Sequence, residues 1–277
     1  MRKYVYTYLL PINSIAYFRR IVKQPELKSP APVDIHPSWA GGNRYIMMSR
    51  NNTRNIIDDG FNAEFTETAF FDGILEMPVI EAPNKIVVPN AVIPFSLRNR
   101  SKNFDEFPIF YEFDTKFSDI LKDPESFVTD LRRFPGMVTL DCSVYWDSPL
   151  TAQIANVYRS RAIGCYFQKR GFYVIPNVRW GDERSYTTEV LPEKFAFLGL
   201  PKHSIVSIGT YGCCQTEEEK YHLYHGLKAM LDELAPEVVL VYGSMPEKIF
   251  GEFQTRTRFI NYPDWISMKR GAKHGNQ

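Results

Sequence analysis

The sequence predicts an α/β protein in which parallel strands alternate with helices, and three observations carry that prediction. Apolar strand-length runs recur from about residue 107 onward. The segments between them are long enough for helices, and crossovers of a dozen residues or more mean parallel pairing, because a tight hairpin cannot join parallel strands. One of the runs, Glu237-Val-Val-Leu-Val-Tyr242, has no polar alternation, as expected of a strand buried on both faces.

The elements follow in order. Residues 1–105 read as an irregular N-terminal region packed on the main domain, broken by Pro11, Pro25, Pro30, Pro32, Pro37, Pro78, Pro83, Pro89 and Pro94. Tyr45–Met48 and Lys85–Val88 are its strand candidates, between turn-rich segments such as Gly41-Gly-Asn43. The parallel domain is placed at 106–265. Phe107–Asp114 is its first strand, followed by a helical stretch through Phe117, Ile120, Phe127 and Leu131; Met137–Ser143 is the second strand. A helix over about 150–169 carries Ile154, Tyr158, Ala162 and Tyr166 along one stripe, and Gly171 ends it. Phe172–Val178 is a strand interrupted by Pro176. An irregular connection over 184–202 leads to the strand Ser204–Ile208. Thr216-x-x-Glu219 is a capping box opening a helix to residue 234, whose stripe is Tyr224, Leu227, Leu231 and Leu234. After the strand to Tyr242 come a short helix from Pro246 to about 254 and a strand at Arg258–Asn261. The basic tail, 266–277, reads as disordered. An incomplete or distorted (β/α) barrel is preferred to an open doubly wound sheet, because no Gly-rich nucleotide fingerprint follows the first strand.

Composition narrows the function classes. With 277 residues the chain can bury a large core, and its net charge of +1 gives no whole-molecule attraction to nucleic acid or membrane. No run approaches a membrane span. Met1–Leu10 does not read as a secretory leader, and the four cysteines form no C-x-x-C pair; reduced thiols and a cytoplasmic location are expected.

In both architectures ligands bind beyond the carboxyl ends of parallel strands. That rule nominates Asp114, Asp141, Ser143, Tyr145, Trp146, Asp147, Asn177, Arg179, Trp180, Arg184, Thr210, Gly212, Tyr242 and Ser244. Asp141 and Asp147 could share acid and base roles or hold a divalent metal. Against this, Asp147 stands just before Ser148-Pro149, where an aspartate more often caps the following helix. Asp141 interrupts an apolar strand, and a buried carboxylate needs a partner; Arg159, Arg161 or Arg179 could supply it. Arg179 and Arg184 suit phosphate or carboxylate, and Trp180 and Trp146 offer flat faces for a base or sugar; a surface turn with internal ion pairs is the competing explanation. Gly209-Thr-Tyr-Gly212 could receive an oxyanion on its N–H groups, although two glycines at a strand-to-helix turn are more often simply the turn. Cys213 and Cys214 read as incidental thiols, and His222 with His225 lacks a third zinc ligand. His36 has no readable role.

Five blocks carry a family likeness: Asp141-Cys-Ser-Val-Tyr-Trp-Asp-Ser-Pro149, Asn156-Val-Tyr-Arg-Ser-Arg161, Val174-Ile-Pro-Asn-Val-Arg-Trp-Gly181, Ser204-Ile-Val-Ser-Ile-Gly-Thr-Tyr-Gly212 and Val239-Leu-Val-Tyr-Gly243. Across about 108–245 the chain resembles an uncharacterised family of bacterial, phage and mobile-element proteins, a domain of unknown function. The resemblance implies a phage or mobile-element setting and assigns no catalytic residue. Three functions are weighed. The first is an enzyme on a phosphorylated or nucleic-acid substrate, metal-assisted through Asp141 and Asp147. The second is a non-catalytic protein that captures a nucleotide signal or a host protein, which requires Asp141 to be tied up by an arginine. The third is a carbohydrate-active barrel with paired carboxylates.

Overall fold

The computed structural model describes residues 61, 63–102 and 104–265. The chain divides into two compact units, Met1–Gly42 and Asn43–Gln277, and all described residues belong to the second. The expected strand at Tyr45–Met48, the turn at Gly41–Asn43, His36 and the basic tail lie outside the described residues.

Nine strands are described: β1 (Phe71–Asp72), β2 (Met77–Pro78), β3 (Val92–Pro94), β4 (Phe107–Ile109), β5 (Met137–Val138), β6 (Val174–Ile175), β7 (Ile205–Gly209), β8 (Val238–Tyr242) and β9 (Arg258–Tyr262). β1 and β2 form a small antiparallel pair. Every other ladder is parallel, as the long crossovers require: β3 with β4, β5 with β6, and β7 with β8 with β9. β4 lies beside β5, and a parallel bridge from Asn177 to Ser207 joins the β6 side to β7. Spatial order therefore follows chain order from β3 to β9. β3 comes from the stretch that the sequence assigns to the N-terminal region. Lys85–Val88 forms no strand; it sits between Pro83 and Pro89, which cannot donate to a ladder. Among the described strands no ladder joins β9 back to β3, and no closed barrel forms.

The helices are α1 (Ser118–Lys122), α2 (Val128–Leu131), α3 (Leu150–Lys169), α4 (Glu183–Tyr186), α5 (Glu217–Leu234) and α6 (Glu247–Phe250). α5 begins with the expected capping box: the Thr216 hydroxyl accepts from the Glu219 N–H, and the Glu219 carboxylate accepts from the Thr216 N–H. Its stripe of Leu227, Leu231 and Leu234 is buried. α3 spans the expected residues but is not a simple amphipathic stripe, since every residue from Ser160 to Phe167 is buried. The cause is a second cover: Phe61 stacks on Tyr158, Phe65 meets Tyr166 edge-on, and Ile80 packs where Gly164 has no side chain.

Side chains of β8 alternate between two cores, as a strand buried on both faces must. Val238, Leu240 and Tyr242 join an interior cluster with Phe107, Ile109, Tyr111, Val138, Ile175 and Ile205. Val239 and Val241 face the α5 side, with Val206, Ile208, Leu227 and Leu231. Each such fully buried aliphatic side chain stabilises the fold by about 1.5–3 kcal/mol.

The 184–202 connection is tied to α5 by Glu233, whose carboxylate pairs with Lys202 at 2.8 Å and Lys194 at 3.0 Å. Those bonds hold the carboxyl below its ordinary value. A depressed folded-state value gives stability that is present above the ordinary glutamate range and lost as pH falls through the depressed value. Glu233→Gln is therefore expected to cost roughly 0.2–1 kcal/mol at neutral pH, because solvent screens the pair. The gap from wild type should close on acidification in urea-unfolding curves. A gap that widens on acidification contradicts this assignment.

Candidate functional site

The carboxyl ends of β4 to β8 open into one cleft of about 980 Å³. At its base lies a buried polar network. Asp141, 4% exposed, has both carboxylate oxygens engaged: Oδ1 accepts from Asn177 Nδ2 at 2.8 Å, and Oδ2 from Arg179 Nη2 at 2.5 Å. Arg179 Nη1 donates to the Gly209 carbonyl at 3.1 Å and to Cys213 Sγ at 3.3 Å. Asn177 Oδ1 accepts from the Tyr111 hydroxyl at 3.1 Å, and that hydroxyl also bonds Ser207 Oγ at 2.6 Å. The Tyr111 ring stacks on Tyr242, with centroids 5.3 Å apart and planes 12° apart.

Electrostatics follow from this burial. Desolvation pushes the Asp141 carboxyl above its ordinary value, while the Arg179 charge and the Asn177 amide pull it back; nearby Asp114 adds to the upward push. Burial opposes the Arg179 charge, but Asp141 outweighs it and holds the guanidinium protonated. Desolvation, then Asp141, raise the Tyr111 phenol. The result is an ion pair with a neutral tyrosine beside it. Of the three arginines that could partner Asp141, Arg179 does. Arg161 instead donates to the carbonyls of Asn177, Ala196 and Leu198.

The other nominated residues separate into two groups. Trp146, Trp180, Gly212, Ser143, Tyr145 and Asp114 line the cleft. Trp146 is 38% exposed and stacks on His222, with centroids 5.8 Å apart. Trp180 is largely a packing residue: its Nε1–H donates to the His222 carbonyl at 2.9 Å, and it lies where a side chain at Gly226 would stand. Asp114 accepts from the Ser143 N–H and hydroxyl. Outside the lining are Asp147, Arg184, Thr210 and Ser244. Asp147 is exposed and does not cap α3, whose N-cap is Pro149 with no side-chain cap bond. Arg184 pairs with Asp182 and donates to the Ser148 carbonyl. Thr210 is buried, with its N–H on the Tyr242 carbonyl and its hydroxyl on the Ser244 carbonyl. Asn177 lies beneath the cleft as part of the network.

The acidic residues lining the cleft are Glu112, Asp114, Asp141, Glu219 and Asp264, and the basic ones are Arg100, Lys116 and Arg179. Among the described residues, no cluster of three or more His, Cys, Asp or Glu is arranged to hold a metal. Residues missed at first include Tyr111, Ser207 and Gln153. Tyr111 was legible as the next inward position after Phe107 and Ile109, and Ser207 as a hydroxyl inside an apolar strand. Gln153 carries no signal of its own.

These features define an α/β protein of consecutive parallel strands with a small-molecule-sized cleft at their carboxyl edge. The chain belongs to the family described as Domain of unknown function (DUF4417), whose pattern matches residues 69–263 and so takes in β1 to β3 as well as the five blocks. Among known proteins it is 29% identical over 136 residues to the Gene 1 protein of Mycobacterium phage L5, covering 49% of this chain and 56% of that protein. It is equally identical over the same length to the Gene 1 protein of Mycobacterium phage D29, covering 49% and 48%. The matched part spans about half the length of these relatives. No solved structure matches. Among the described residues, no helix is long and apolar enough to cross a membrane.

Proposed function

We propose that this phage-related chain is a cytoplasmic ligand-binding protein whose cleft captures a nucleobase-bearing small molecule. The carrying observation is an aromatic-walled cleft above an ion pair that is already satisfied. The stacked Tyr111–Tyr242 pair and the partly exposed Trp146 ring line a space within the range that encloses small ligands. Both Asp141 oxygens are taken by Asn177 and Arg179, the condition set above for capture without catalysis. A metal-assisted enzyme needs Asp147 to converge with Asp141, and Asp147 stands outside the cleft lining. The chain-order adjacency of β3 to β9 around a shared interior supports reading the fold as a distorted, open barrel.

The test is a thermal-shift panel of bases, nucleosides and nucleotides on the full chain. At least one compound is expected to raise Tm. Trp146→Ala should weaken its binding by roughly 1–3 kcal/mol, the range for a base stacked on an aromatic ring. Trp146 is partly exposed, so its removal leaves the core intact. A flat panel, or unchanged binding by the variant, defeats the proposal.

A further inference from the structure

Resting on the cleft as a nucleobase site, we infer that its ligand is an uncharged or cationic heterocycle, a base or nucleoside without a phosphate group. Three independent features point there. First, two of the three basic side chains in the lining are occupied, while the third, Arg100, is exposed. Arg179 spends both terminal nitrogens on Asp141, Gly209 and Cys213, and Lys116 pairs with Glu112 at 3.2 Å. A partly buried guanidinium neutralised by a buried carboxylate offers little to a second anion.

Second, the turn that leads into α5 already carries the protein's own acidic groups. A helix N-terminus attracts anions through its free N–H groups and dipole. Here the Glu219 carboxylate already accepts from the N–H groups of Gln215 and Thr216, and Glu217 and Glu218 share the first turn. The Thr210 N–H is taken by the Tyr242 carbonyl. With acidic groups in excess along the lining, a phosphate entering this cleft meets repulsion that a neutral ring does not.

Third, two buried polar atoms of lining residues have no hydrogen-bond partner, and they are of opposite kinds. Gln153 Nε2 donates to the Ser148 carbonyl at 3.1 Å, which fixes the amide and leaves Oε1 as an acceptor without a donor. Arg179 Nε–H is a donor without an acceptor. A buried unsatisfied group is costly; Gln153 Oε1 packs against Gly181, so a ligand donor reaches it only with a local shift of that side chain. A base edge carries donors and acceptors together, whereas an ionised phosphate supplies acceptors only.

The experiment is calorimetric titration of the full chain with adenosine, guanosine, cytidine and uridine, each alongside its 5′-triphosphate. The best nucleoside is expected to bind at least about tenfold more tightly than its triphosphate. Its affinity should fall about tenfold in Gln153→Leu and be retained in Gln153→Glu, which keeps an acceptor. A triphosphate that binds as well as or better than its nucleoside overturns this inference while leaving the base-binding cleft standing. Failure of every nucleoside and triphosphate to bind overturns the cleft reading as well. Should Gln153→Leu not fold, the wild-type comparison of nucleoside with triphosphate decides the matter alone.

Discussion

Replacing Asp141 with asparagine is expected to destabilise the protein by about 3–5 kcal/mol, the range seen when one partner of a buried ion pair is removed. The carboxylate is buried, and its loss leaves the Arg179 guanidinium charged beside a neutral amide. Asparagine keeps the shape, so the effect isolates the charge. Arg179→Met alone should cost a similar amount, because it strands the carboxylate. The double variant Asp141→Asn/Arg179→Met should recover much of the loss, since burying neither charge removes the desolvation penalty. Urea unfolding of the four proteins closes this cycle. Single variants within about 1 kcal/mol of wild type would mean that the pair behaves as a solvated surface pair and not as a buried one.

Arg161→Ala should be more damaging still, either abolishing folding or costing more than about 4 kcal/mol. Arg161 is 1% exposed and makes no ion pair among the described residues. Burial pushes its pKa down to about 9, so it stays charged at neutral pH, balanced by carbonyl dipoles. Nε reaches the Leu198 carbonyl at 3.1 Å, Nη1 that of Asn177 at 2.9 Å and Nη2 that of Ala196 at 2.9 Å. Each buried carbonyl left without a donor costs roughly 1–3 kcal/mol, and a cavity adds to it. Arg161 thereby clamps the irregular 184–202 connection to the carboxyl end of β6, directly beneath Asp141 and its partner Asn177. Arg161→Lys keeps the charge but not the planar fork, and should fall between wild type and alanine. Tm and soluble yield of both variants read this directly; an alanine variant that melts within a few degrees of wild type refutes the clamp.

The two arginines also mark where sequence reasoning ran out. Arg161 and Arg179 both stood as partners for Asp141, and nothing in their spacing separates them. Helix phase does: Arg161 emerges from α3 toward the carbonyls of 196–198, whereas Arg179 follows β6 by an even step and reaches across to Asp141 and Gly209. Asp147 and Arg184 stand outside the cleft lining for a local reason. Asp147 lies on the loop that Pro149 turns into α3, and Arg184 lies in the first turn of α4, where Asp182 captures it. The uniform burial of the second half of α3 was equally hidden, because the cover over its outer face comes from residues 61–80, some 80 to 100 positions away in the chain.

What local sequence determined by itself was the parallel strands from β4 to β9, the two long helices with the capping box on α5, and the edge of the sheet at which polar side chains collect. Those follow from short-range causes: apolar period, turn chemistry and the crossover length that parallel pairing demands. The tertiary structure alone decided which of those polar groups neutralise one another, taking Arg179 for Asp141 and Arg184 for Asp182. Charge pairing depends on distances of a few ångströms between strands far apart in the chain, and a linear pattern carries no such distances.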